Sequence, residues 1–324
     1  MGGFFAEYTR REKQFWSEVR HTDNEVGGGK YGYQELLADC RELTGAYPFV
    51  TVHTIGHSVL GKPIVALRCG TGARSIHMNG AFHANEWITS ALLMRFVADY
   101  AASCAEGRSI CGEMAARLHE ETTLWAVPMV NPDGVELAQQ GALPAHPFYS
   151  QLMAWNEGRE SFADWKANAR GVDLNDQFPA HWEEECQRRE VQGPGPRDYP
   201  GPYPLSEPEA MAMANLTTAQ RFDLTVALHT QGEEIYWNYR GYEPKESEQL
   251  AERLGLVSGY KPVKLTGSDA GYKDWFIQRF RRPGFTIEAG RGENPLPPQQ
   301  LPAIYESVKP LLVEALSLHR AREL

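Results

Sequence analysis

The sequence predicts an α/β protein in which a largely parallel β-sheet is covered by helices on both faces. Two observations carry this. Short β-branched or continuous apolar runs alternate along the chain with longer segments of helical spacing, the pattern of layered α/β architecture. The 324 residues, 42% hydrophobic and 23% charged, also have the composition of a globular chain able to bury a core.

The elements follow in order. Tyr33–Leu43 carries helical spacing, and Phe49–Ile55 and Ile64–Cys69 are apolar strand runs joined by a turn. Ser75–Asn79 is a buried strand that leads, after a short loop, into the clearest helix, Ile88–Ala102. There Leu92, Phe96 and Tyr100 recur on one face, backed by Leu93 and Val97. Further strands are expected at Thr123–Val130, Leu224–His229 and Gly284–Glu288, and further helices at Glu207–Ala219, Glu246–Leu254 and Pro302–Leu318. Two stretches rich in Pro, Gly and charge, 140–165 and 178–206, read as long functional loops around a site. Residues 1–30, ending in the joint Gly27-Gly28-Gly29, read as an N-terminal extension, and residues 31–324 as a single domain.

Composition excludes some functions. With 42 acidic against 32 basic side chains the net charge is −10, so no basic face is on offer to nucleic acid or anionic lipid. No apolar run approaches the roughly 18 residues of a membrane span, and Met1–Arg20 lacks the apolar centre of a signal peptide. The five cysteines, Cys40, Cys69, Cys104, Cys111 and Cys186, show no CxxC spacing and read as thiols of a reducing compartment. A cytoplasmic protein is the expectation.

Several motifs fail on inspection. Gly27-x-Gly29-x-x-Gly32 has no strand before it, as a dinucleotide fingerprint requires. Gly56–Lys62 resembles a phosphate loop until Pro63 takes the place of the magnesium-binding hydroxyl. His119-Glu120-Glu121 lacks the second His of a zincin helix, because Thr123 stands there.

The constellation that carries chemistry is Gly80–Trp87. It follows the strand Ser75–Asn79, and open α/β sheets place their sites at such carboxyl ends. His83 and Glu86, three apart on the first turn of a helix, project to one side and offer two of the three protein ligands a catalytic zinc needs. The competing reading makes His83 a helix cap and Glu86 a partner of the helix dipole. His229, closing the strand Leu224–Leu228, is either the third ligand or a buried structural histidine. Glu288 ends another apolar strand, where an acid has few uses besides pairing or catalysis.

Together with Asn131-Pro132-Asp133-Gly134, Gly171-Val172-Asp173-Leu174-Asn175 and the entry element Ile55–Ile64, these segments stand in the order and approximate spacing of the zinc carboxypeptidase family, which the chain resembles from about Tyr31 onward. The resemblance implies a mixed, largely parallel eight-stranded sheet between helices and one Zn2+ per chain held by His83, Glu86 and His229. It also implies that Glu288 is the general base. The oxyanion cation is best matched by Lys166, after Trp165, with Arg170 as the alternative. Asp173 is either a carboxylate that orients His83 or a loop turn residue.

The departures bear on specificity. Family members clamp a terminal carboxylate with Asn-Arg, whereas here Asn175 is followed by Asp176, which repels a carboxylate and attracts an ammonium. The mobile tyrosine expected nine positions before Trp275 falls on Thr266, and the residue lining the side-chain pocket falls on Lys273, which suits an anion unless it is a surface lysine. Asn175–Pro179 resembles the bacterial branch that hydrolyses the γ-D-glutamyl bond to meso-diaminopimelate in cell-wall peptides. A diaminopimelate-containing muropeptide is therefore the expected partner, with nucleic acid and membrane excluded. The rival readings are a carboxypeptidase acting on ordinary peptide C-termini and a catalytically silent muropeptide-binding protein.

Overall fold

The computed structural model describes residues 29–318, so most of the extension read over residues 1–30 lies outside the described residues. Eight strands form the main sheet: β1 (Thr51–His57), β2 (Pro63–Cys69), β3 (Arg74–Asn79), β4 (Thr122–Val127), β5 (Leu224–His229), β6 (Glu234–Tyr236), β7 (Lys261–Val263) and β8 (Gly284–Glu288). The order across the sheet is β1-β2-β4-β3-β5-β8-β6-β7. The centre, β4-β3-β5-β8, is parallel throughout, while the β1–β2, β2–β4 and β8–β6 pairs are antiparallel. The sheet is mixed with a parallel heart, as the sequence led one to expect.

Ten helices accompany it among the described residues: α1 (Tyr33–Ala46), α2 (Ile88–Ala105), α3 (Ala115–Glu121), α4 (Pro132–Gln140), α5 (Tyr149–Trp155), α6 (Trp182–Arg189), α7 (Pro208–Gln220), α8 (Ser247–Ser258), α9 (Tyr272–Phe280) and α10 (Leu301–Ser317). Alternation along the strands divides the core in two. Ile76, Met78, Leu224, Val226, Leu228, Phe285 and Ile287 pack on one face with side chains from α1, α2, α8 and α10. Trp125, Val127 and Ala227 pack on the other with Met213 of α7 and Phe276 of α9. Both faces being covered explains why the central strands read as continuous apolar runs.

The two stretches read as loops need correction. Segment 140–165 contains α5, and segment 178–206 contains α6. The latter has Glu183, Glu184 and Glu185 in its first turn and Arg188 and Arg189 in its last, a charge order that favours the helix through its macrodipole. The turn between β1 and β2 is where the sequence put it. Lys62 of that turn, part of the false phosphate loop, forms an ion pair with Asp133 at 2.8 Å, and Asp133 also accepts the Leu60 N–H at 2.8 Å.

Candidate active site

Three neighbouring parallel strands, β3, β5 and β8, deliver the site from their carboxyl ends. After β3 the chain turns through Gly80–Phe82 to His83, which precedes a single 3-10 turn, Ala84–Glu86, rather than standing inside the helix that starts at Ile88. His229 is the last residue of β5, and Glu288, the last of β8, lies directly across from it. On β5 and β8 the core side chains Leu228 and Ile287 point to one face, so His229 and Glu288 point to the other.

His83, Glu86 and His229 come together. Nδ1 of His83 is 2.8 Å from Glu86 Oε1, Nδ1 of His229 is 2.9 Å from Oε2, and the two ring nitrogens are 3.2 Å apart. All three side chains are buried. Two imidazole nitrogens and a carboxylate that offer ligand atoms within 4.8 Å of one another form an N, N, O donor set, which is that of a catalytic zinc. The residues fit the metal.

Electrostatics follow from the same packing. Burial raises the Glu86 carboxyl's pKa, but the two histidines outweigh it and hold the group well below the usual carboxylate range. Burial opposes protonation of His83, yet the Glu86 and Asp173 charges push it up to about 9. Burial lowers His229, against the pull of Glu86. Glu288 is pushed up to about 8, first by burial and then by the Glu86 charge.

Around the centre, Asp173 Oδ1 lies 3.2 Å from His83 Nε2, and its Oδ2 is 3.7 Å from Lys166 Nζ. Lys166 is mostly buried, and its charge acts on His83, Glu86 and Glu288. Arg170 is not brought to the centre. Its guanidinium is half exposed and faces Glu207 at 3.5 Å. The Asn131-Pro132-Asp133-Gly134 segment holds these loops in register. Asn131 caps α4 by accepting the Gly134 N–H at 3.0 Å, and its Nδ2 donates to the carbonyls of Phe82 and Ala167, each at 3.1 Å. The loop carrying His83 and the loop carrying Lys166 are thereby stitched together, helped by the Ala84 N–H donating to the Lys166 carbonyl at 3.0 Å.

Two expectations about substrate contacts change. Lys273 is buried at the start of α9, where its ammonium donates to the Asn238 carbonyl at 2.7 Å and pairs with Asp274 at 2.5 Å. Its charge is spent inside the protein and is not presented to a substrate anion. Asp176 is also buried and is not a free acid, because Arg189 of α6 reaches it. Nη2 donates to Oδ1 at 3.0 Å, while Nε approaches Oδ2 at 2.9 Å off the hydrogen-bonding direction. Burial and the Asp173 charge still raise Asp176 to about 7, with Arg189 opposing them. Asn175 keeps a fixed orientation, its Oδ1 accepting the Tyr272 N–H at 3.2 Å. Sequence reasoning missed Arg189, since its helix was read as loop. It also missed Glu234, which faces Glu288 across the antiparallel β8–β6 pair and accepts the Tyr236 hydroxyl at 2.8 Å.

Comparison with known proteins identifies the family and the fold. The zinc carboxypeptidase family profile matches residues 36–310. The chain is 47% identical over 292 residues to gamma-D-glutamyl-L-diamino acid endopeptidase 1 of Lysinibacillus sphaericus, covering 90% of this chain and 74% of that protein. Among solved structures, bovine thrombin-activatable fibrinolysis inhibitor superposes with a TM-score of 0.70 at 20% identity, covering 90% of this chain and 97% of that one. The murein-tripeptide amidase MpaA of Escherichia coli O157 does so with a TM-score of 0.53 at 22% identity, covering 88% and 97%. At those identities the structural likenesses speak to the fold.

Proposed function

The chain belongs to the zinc carboxypeptidase family, and from that premise we propose that this metallopeptidase hydrolyses the γ-D-glutamyl–meso-diaminopimelate bond of cell-wall peptides. The observation that carries the reading is the convergence of His83, Glu86 and His229 beside an acid, Glu288, that is not among the grouped ligands. The substrate is supported by the relative named for cleaving γ-D-glutamyl-L-diamino acid bonds and by the acid at 176, which disfavours a lone terminal carboxylate.

His83, Glu86 and His229 would hold one zinc ion per chain. When bound, zinc supplies a Lewis acid that acidifies water and polarises the scissile carbonyl. Glu288 takes the proton of the attacking water and returns it to the leaving nitrogen. Lys166 places positive charge where the tetrahedral oxyanion develops, as a point charge rather than a planar fork. Asp173 fixes the His83 ring by accepting its Nε2–H, leaving Nδ1 as the ligand atom. Asn175 and Asp176 contact the substrate. The reading puts this activity in the cytoplasm, supported by five free cysteines. Among the described residues no helix is long and apolar enough to cross a membrane.

The test is direct. Zinc-loaded protein incubated with L-Ala-γ-D-Glu-meso-diaminopimelate is expected to release free diaminopimelate, seen by mass spectrometry. Release of C-terminal residues from ordinary L-peptides at a comparable or higher rate would replace this reading with that of a general carboxypeptidase.

A further inference from the structure

Resting on that functional reading, we infer that Asp176 and Arg189 act as one unit, a head-to-tail ion pair that recognises the zwitterionic end of the diamino-acid side chain. The ammonium is received by Asp176 and the neighbouring carboxylate by Arg189.

The pattern the chain resembles calls for a guanidinium at position 176, and the chain supplies an acid there. The structure returns a guanidinium to the same spot from another element, thirteen residues on, at 3.0 Å from Asp176 Oδ1. The pair adjoins the metal ligands. Asp176, Asp173 and Asp198 offer carboxylate oxygens that all lie within 4.8 Å of one another, and Asp173 in turn holds His83.

Local charge then sorts the ligands. Arg189 is shared among Asp176 at 2.9 Å, Glu185 at 2.7 Å and Asp198 at 3.1 Å. Arg188 also holds Glu185, and Lys166 acts on Asp173, Asp176 and Asp198, so four carboxylates face three cations and leave negative charge that an ammonium can neutralise. A lone carboxylate arriving there meets three acids and is repelled. A zwitterion brings both charges at once and completes an alternating square, ammonium on Asp176 and carboxylate on Arg189. The Arg189 side chain is 31% exposed, so the pair is reached by solvent on the arginine side. Asp176 Oδ2 is a buried atom 2.9 Å from Arg189 Nε but without a directed hydrogen bond, so the ion pair does not fill its capacity to accept one. Lys273, the other cation expected here, is closed off by Asn238 and Asp274.

Three peptides L-Ala-γ-D-Glu-X separate the charges: X as meso-diaminopimelate, as L-lysine lacking the far carboxylate, and as L-norleucine lacking both groups. The full-length zinc enzyme is expected to prefer diaminopimelate over lysine, and R189Q to shrink that kcat/KM ratio at least about tenfold, the scale of one charge-assisted hydrogen bond. D176N is expected to shrink the lysine-to-norleucine ratio similarly, and R189K to keep part of the preference. Because each readout is a ratio, partial misfolding, which lowers every rate together, does not imitate the effect. A second arm measures free meso-diaminopimelate and free lysine binding to the zinc-loaded protein by calorimetry, where R189Q should weaken the former selectively. R189Q lowering all three substrates in equal proportion, or binding both free amino acids as the parent does, overturns the assignment while leaving the peptidase reading intact. A parent enzyme that cleaves none of the peptides sinks both.

Discussion

Nε2 of His83 stands 3.2 Å from Oδ1 of Asp173, and the same ring offers Nδ1 to Glu86 and His229. The aspartate therefore fixes the ring tautomer, and with it which nitrogen can bind a cation. Asp173 is itself fully buried and accepts backbone N–H groups from Asn175 at 3.1 Å and Asp198 at 3.3 Å. D173N should weaken zinc affinity by roughly 10- to 100-fold, the usual cost of losing a carboxylate behind a ligating histidine. Competition with a chromophoric chelator measures this, and an unchanged affinity would deny Asp173 its role.

Glu288 faces His229 across β5 and β8 yet is not one of the three grouped side chains. E288Q keeps the size of the side chain and removes its proton-accepting charge. Elemental analysis should find the parent zinc content, while turnover of the tripeptide falls by about 10²–10⁴-fold. A variant that loses its zinc would make Glu288 a ligand instead, and one that keeps its turnover would dismiss it as the base.

Lys166 and Arg170 make opposite forecasts. Lys166 shares Asp173 with His83 and is mostly buried, whereas Arg170 points to Glu207 with half its side chain in water. K166M should lower kcat by about 10²–10³-fold, the scale of losing one group that stabilises an oxyanion. R170Q should stay within about threefold of the parent, since its half-exposed guanidinium faces Glu207 and not the metal ligands. The reverse ranking in steady-state assays would hand the oxyanion role to Arg170.

How much of this was legible follows from where each residue sits. His229 and Glu288 could be read because each ends a strand whose apolar run is unmistakable, and His83 because it follows such a strand after a three-residue turn; the three strands are neighbours in the sheet. β6 and β7 could not, since Glu234–Tyr236 and Lys261–Val263 are three residues each and show no period. α9 was hidden because Tyr272–Phe280 is rich in aromatics, which carry little helix preference of their own. The partner of Asp176 was beyond reach for a different reason. An ion pair between two elements leaves no periodic trace, and the acidic start and basic end of α6 were the one local sign that Arg189 belonged to a helix.

His77, on β3, gives a forecast independent of catalysis. Its Nδ1 lies 3.1 Å from the Trp125 carbonyl, its Nε2 is 3.1 Å from Asn79 Nδ2, and the ring stacks on Phe222 at 4.7 Å. One neutral tautomer satisfies both contacts, Nδ1 donating and Nε2 accepting. A second proton would set N–H against N–H. Burial accordingly drives the ring's pKa down from 6.5 to about 3. Between those values the unfolded chain binds the proton and the folded one refuses it, so stability is complete above about pH 6.5 and falls as pH drops, by roughly 1.4 kcal/mol per pH unit. H77F removes this dependence but forfeits the two hydrogen bonds, costing about 1–3 kcal/mol at pH 8. Urea unfolding at pH 8, 6 and 4 should therefore show the variant below the parent at pH 8. The gap should close by on the order of 3 kcal/mol by pH 4. A difference that stays constant across the three pH values would mean that His77 takes up its proton as readily in the folded protein as in the unfolded chain.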